Sequence, residues 1–162
     1  MTGAKTDPEP AAHTSAREVR RLVGIAGHAS LATVDHATGR PFASLVNYAP
    51  GPDGAPVLLI SSLARHTANL EKDPAASLLI ADPDAAGGDV LSGSRVTLTG
   101  WFERIAEPAG LAQARDAFLS RHPSAAGYAD FADFGWWRLV IDEAHLVQGF
   151  GRIATLKAGQ LG

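Results

Sequence analysis

Three hydroxyls, a guanidinium and an imidazole crowd into the stretch Ser61-Ser62-Leu63-Ala64-Arg65-His66-Thr67, which runs on through Ala68-Asn69-Leu70-Glu71-Lys72 to Asp73-Pro74. The apolar run Val57 to Ile60 before it reads as a buried strand, and 66–73 reads as a short helix stopped by Pro74. A strand therefore delivers hydroxyls to a helix start. There, free main-chain N–H groups and the positive end of the helix dipole favour an anion. Ser61, Ser62 and Thr67 supply hydroxyl donors, Arg65 a forked cation, and His66 a donor that can become charged. The stretch reads as a phosphate cradle. Spacing alone leaves a second reading open, in which Ser62 or Thr67 caps a surface helix and Arg65 is solvated.

Other chemistry finds little support. The six histidines, His13, His28, His36, His66, His122 and His145, are scattered, and no pair stands with a carboxylate at a ligand spacing, so no zinc site is expected. Ser44 and Ser77 lack the Gly-x-Ser-x-Gly elbow of a hydrolase. Gly149-Phe150-Gly151 follows no strand-to-helix phosphate loop and reads as a bend. No catalytic residue is assigned. A chain with an anion site beside an apolar sheet, and no nucleophile or acid–base pair, suits a phosphorylated cofactor that brings its own chemistry. Small residues such as Ala43 and Ser44 would let a flat ring approach the strand 42–48.

The elements that must position these groups are short. Residues 1–13 are expected to be a disordered tail and 14–162 one folded domain. Ser15 and Glu18 form a capping box before a helix with Val19, Leu22, Val23 and Ala26 on one stripe, ending near Gly27. Strands are expected at 29–34, 42–48, 57–60, 77–81, 95–105 and 136–145, a helix at 109–121, and a mobile loop at 82–94. Hairpin links between most strands suggest an antiparallel barrel with peripheral helices, mainly β in class.

With 162 residues, 46% hydrophobic and 19% charged, the chain can build one substantial core. A net charge of −3 without a basic run argues against nucleic acid as a partner. Absence of cysteine excludes disulfides and thiolate sites. No apolar stretch approaches a membrane span, and a cytoplasmic location is the expectation.

The run Leu31 to Leu79, with Gly39-Arg40-Pro41-Phe42-Ala43-Ser44-Leu45-Val46-Asn47-Tyr48 and the Ser61–Leu70 stretch, resembles the pyridoxamine 5′-phosphate oxidase-like, FMN-binding split-barrel superfamily. Asp133-Phe134 and Gly149-Phe150-Gly151-Arg152 are similar to its haem-utilisation branch. The resemblance implies a six-stranded antiparallel split β-barrel that forms a homodimer, with FMN between the subunits. It implies that Ser61, Ser62, Arg65, His66 and Thr67 hold the FMN phosphate, His66 standing where the family often has Lys. Ala43, Ser44, Leu45, Val46 and Asn47 would line the flavin, and Gln148 to Arg152 would approach from the second subunit. The expected function is an FMN-dependent oxidoreductase acting on a small molecule. Its alternative is a protein that binds haem, another tetrapyrrole or a deazaflavin without redox catalysis.

Overall fold

The computed structural model describes residues 8–149 and 151–162. Helical spacing builds α1 (Pro8–Ala26), which buries Ala16, Val19, Leu22 and Val23 along one stripe. Gly27 ends it at a φ of 80°, a left-handed conformation that glycine adopts without strain. The helix begins at Pro8 rather than at Ser15, so residues 8–13 of the expected tail are helical, and 1–7 lie outside the described residues.

The strands are β1 (His28–Val34), whose burial alternates with period two, β2 (Pro41–Asn47), the short β3 (Ala49–Pro50), β4 (Pro56–Ser61), β5 (Ala75–Ala81), β6 (Ser94–Arg104), β7 (Phe134–Gln148) and β8 (Ile153–Lys157). Helix α2 (Arg65–Lys72) follows β4 and α3 (Pro108–Arg121) follows β6. All pairings are antiparallel, in the order β2-β1-β5-β6-β7-β4-β3 with β8 also beside β7. Strand β4 pairs with the first part of β7, Ser61 opposite Phe134, and β8 with its last part, Val147 opposite Ile153. The sheet thus has seven ranks: β4 and β8 share the one beside β7, and the two-residue β3 forms the edge beyond β4. It curls into a split barrel that brings β2 towards β4.

Two differences from the sequence reading have simple causes. Strand β8 was not expected, because Ile153-Ala154-Thr155-Leu156-Lys157 is short and follows a glycine-rich bend. The expected loop at 82–94 holds two 3-10 turns, Pro83–Gly87 and Val90–Ser92. Each is opened by an aspartate, Asp82 or Asp89, whose side chain accepts a main-chain N–H two residues on.

Inside the curl, Leu31, Leu58, Ile60, Leu78, Ile80, Val96, Leu98, Phe102, Leu139 and Leu146 pack against the α1 stripe. A second, smaller core lies on the other side of β4. Val57, Leu59 and Trp136 meet Ala114 and Phe118 of α3 there, with Phe118 edge-on to Trp136 at 5.5 Å. Val57 and Leu59 point one way while Leu58 and Ile60 point the other, so β4 is buried on both faces. Its unbroken apolar run follows from that position. Each such side chain contributes roughly 1.5–3 kcal/mol of burial.

The pairing of β6 with β7 slips between Thr99 and Gly100, leaving Asp142 as the extra residue of a bulge. A Cβ on Gly100 would lie 1.9 Å from the Val140 carbonyl oxygen, so only glycine fits.

Candidate functional site

The seam where β2 faces β4 is a groove of about 310 Å³, lined by Leu45, Val46, Asn47, Leu59, Ile60, Ser61, Ala64, His66, Tyr128 and Phe134. One wall comes from β2, a second from β4 and the start of α2, and a third from the chain between α3 and β7. That third wall is built by repeated turns. Phe131 N–H donates to Tyr128 O and Phe134 N–H to Phe131 O, each at 3.0 Å. Turns of this length bring residues three apart to the same side, so Tyr128 and Phe134 lie 4.9 Å apart and Phe131 and Phe134 6.5 Å. Asp133 fastens this wall to the β4–α2 junction. Its carboxylate accepts the Ser61 hydroxyl at 2.5 Å and its carbonyl accepts Ser62 N–H at 2.7 Å.

The expected cradle residues come together, but mostly with partners inside the fold. The buried Thr67 hydroxyl donates to the Ser61 carbonyl at 2.6 Å, and the Ser61 hydroxyl is held by Asp133. Arg65 Nε donates to Asp35 Oδ2 at 2.6 Å, and its guanidinium lies 4.6 Å from the Phe42 ring centroid. Asp35 is buried in the turn after β1, where it also accepts the main-chain N–H and hydroxyl of Thr38 at 2.9 and 2.7 Å. These donors, Arg65 first, hold the Asp35 carboxyl well below the usual carboxylate range. Ser62 remains exposed. Ala64, at the head of α2, offers no side-chain cap, and among the described residues the N–H groups of Arg65 and His66 have no partner.

His66 meets Ser44 across the groove, Nδ1 to Oγ at 3.1 Å, and burial lowers the imidazole pKa, favouring the neutral ring. Leu45, Val46 and Asn47 line the groove, while Ala43 pairs with Ala32 further along β2. Gln148 and Arg152 are bonded to each other through the main chain at the far end of β7 and do not line the groove of their own chain. Phe150 lies outside the described residues.

Sequence reasoning does not name Leu59, Ile60, Ala64, Tyr128, Phe134 or Asp35 as site residues. Tyr128 stands in an unpatterned stretch of Ala and Gly, and Asp35 reads as an ordinary turn residue. Phe134 carries a signal as part of Asp133-Phe134, and Asp35 and Ala64 stand within the Leu31–Leu79 run that carries the family resemblance. Among the described residues no group of three or more His, Asp or Glu side chains is placed to hold a metal ion, and no helix is long and apolar enough to cross a membrane.

An antiparallel split barrel with a groove at its seam defines the class of protein. Residues 10–160 match the family model for the CREG β-barrel, and the chain belongs to that family. It is 38% identical over 122 residues to the chloroplastic non-canonical heme oxygenase HOZ of Arabidopsis thaliana, covering 75% of this chain and 35% of that protein. It is 30% identical over 136 residues to heme oxygenase HutZ of Vibrio cholerae, covering 81% of this chain and 74% of the relative. The solved structure of a heme binding protein from Mycobacterium smegmatis has a TM-score of 0.79 and 34% identity, over 98% of this chain and 61% of that one. The chain thus spans about a third of the Arabidopsis protein and under two thirds of the mycobacterial one. A pyridoxinephosphate oxidase family protein from Clostridium acetobutylicum shares the fold, with a TM-score of 0.68 at 16% identity. Three of these relatives are thus named for haem, and the fold is that of the pyridoxamine 5′-phosphate oxidase type.

Proposed function

We propose that the groove between β2 and β4 binds haem, and that the protein takes haem as its substrate while working as a homodimer. The observation that carries this reading is the groove's composition. Leu45, Val46, Leu59, Ile60, Tyr128 and Phe134 offer apolar and aromatic contact to a flat conjugated ring, and His66 is the imidazole among them. The names of the relatives support the same ligand: two are heme oxygenases and one a heme binding protein. Haem supplies the redox-active iron when bound. The chain's own part is to exclude water from the ring, to orient it between the three walls, and to present His66. Ser44 engages Nδ1 of that imidazole, which leaves Nε2 for the ligand.

Support for the dimer comes from what the groove lacks. Leu45 is 74% and Leu63 86% exposed at its rim. A volume of about 310 Å³ stands at the low end of the roughly 300–1,000 Å³ of small-molecule pockets. A second copy laid over this edge completes the wall and brings its own Gln148 and Arg152 to the groove. Strand register sets Leu45, Ser30, Leu79 and Thr97 side by side on the outer sheet face, a row without charge that suits a self-complementary contact.

A second reading, FMN, is favoured by one observation. The unpaired N–H groups of Arg65 and His66 at the uncapped start of α2, beside the exposed Ser62, form a donor set for a phosphate. It is opposed by the commitment of Ser61, Thr67 and Arg65 to other partners.

Absorbance titration with haemin and with FMN separates the two. The expected result is a saturable Soret band that FMN does not displace; flavin bands in the protein peak that exclude haemin would overturn the haem reading. Light scattering after size exclusion is expected to give about twice the chain mass of 16.8 kDa, and a monomer mass with and without haemin would sink the dimer.

A further inference from the structure

Helix α2 has only eight residues and no side-chain cap, so it cannot hold its own orientation and must take it from tertiary anchors. Leu70 drops into the main core and Thr67 bonds back to Ser61 on the β4 side. The anchor on the other side is Asn69, which is fully buried. Its Nδ2 donates to Thr33 Oγ1 at 2.9 Å, and its Oδ1 accepts the His36 main-chain N–H and meets His36 Nδ1, both at 2.9 Å. One amide thereby ties α2 to the end of β1 and to the turn leading into β2, the strand that carries Ser44.

The geometry assigns Asn69 as a positioning residue: it fixes the rotation of α2 so that His66, one turn earlier, reaches Ser44 across the groove. This deepens the reading of the groove as the ligand site and rests on it. The residues stand three apart, so they share a side of the helix, and turning Asn69 off Thr33 swings His66 off Ser44. The neighbouring Arg65–Asp35 pair is a weaker anchor, because the arginine is more than half exposed. The amide is dry, and all three of its hydrogen bonds cross from α2 to β1 or its following turn.

The test uses the full chain carrying Asn69→Ala or Thr33→Val, with two readouts. In the ligand-free protein, the 15N shifts of the His66 ring nitrogens report its tautomer and the Ser44 bond. Haemin titration reports the groove. Asn69→Ala is expected to alter the His66 ring shifts and to weaken haemin binding about tenfold. Thr33→Val, which keeps the two bonds to His36, is expected to do the same more mildly. His66 ring shifts identical to wild type in a folded Asn69→Ala protein would overturn the assignment. Should Asn69→Ala fail to fold, unchanged shifts in Thr33→Val would overturn it equally. A wild type that binds no haemin would refute the groove reading, while the ring shifts would still decide the role of Asn69.

Discussion

His66 and Ser44 meet at 3.1 Å, joining a helix-borne imidazole to a strand-borne hydroxyl across the seam of the barrel. Because burial lowers the imidazole pKa from 6.5, the folded protein favours the neutral ring. Its contribution to stability is present above pH 6.5 and is lost as pH falls through the lowered value. His66→Ala is expected to weaken haemin binding about tenfold, and Ser44→Ala about threefold, with little change in melting temperature. Haemin titration from pH 7.5 down to about 5.5 should show wild-type affinity falling with acidity and the His66→Ala affinity staying flatter.

Asp35 and Arg65 form the second link between the β1–β2 turn and α2. The Asp35 carboxyl is depressed below 3.8, so its contribution is complete above that pH and disappears as pH falls through the lowered value. Asp35→Asn should therefore be less stable than wild type at pH 7, and the gap should narrow in acid. Urea melts across pH 7 to about 2.5 measure it; a constant gap would show that the ion pair contributes nothing.

Tyr48, directly after the groove residue Asn47, is fully buried and donates its hydroxyl to the Val23 carbonyl at 2.8 Å, capping α1. Burial pushes its phenol from 10.0 to about 12. The folded protein thus keeps a proton that the unfolded chain loses, so stability should drop as pH rises from 10 to 12, by roughly 3 kcal/mol if the full shift is realised. Tyr48→Phe should cost about 1 kcal/mol at pH 7 and abolish most of that alkaline loss, as read by chemical melts.

Gly100 allows the β6–β7 bulge. Gly100→Ala would drive a methyl into the Val140 carbonyl and is expected to cost about 3 kcal/mol or more, since backbone on both sides must move. A melting temperature within a degree or two of wild type would mean that the bulge can slip to a neighbouring register.

Much of this architecture was legible because its signals are local. Alternation in 95–105 assigned Val96, Leu98 and Phe102 to the core face, and all three are buried. The Val57–Ile60 run announced a buried strand, though not that it separates two cores. Leu45, Val46, Asn47, Ser61 and His66, all singled out by the sequence, line one groove. What failed to show is what depends on distant partners. That Thr67 and Ser61 spend their hydroxyls inside the fold follows from Asp133 and from the β4 main chain. Spacing cannot tell a hydroxyl with an internal acceptor from one free for a ligand. The same holds for Arg65, whose partner lies in a turn before β2. Tyr128 reaches the groove only through the turns of 128–134, which bear no periodic pattern.

Because β4 has no face left to water, it offers evolution almost no room. Any change from Val57 to Ile60 disturbs one core or the other, so its stretch of groove wall is expected to vary little. Leu45 and Asn47 at the rim of β2, and Tyr128 among the turns, carry no such double duty. Homologous barrels that prefer a different ring are expected to differ first at those three positions, and to keep β4 almost letter for letter.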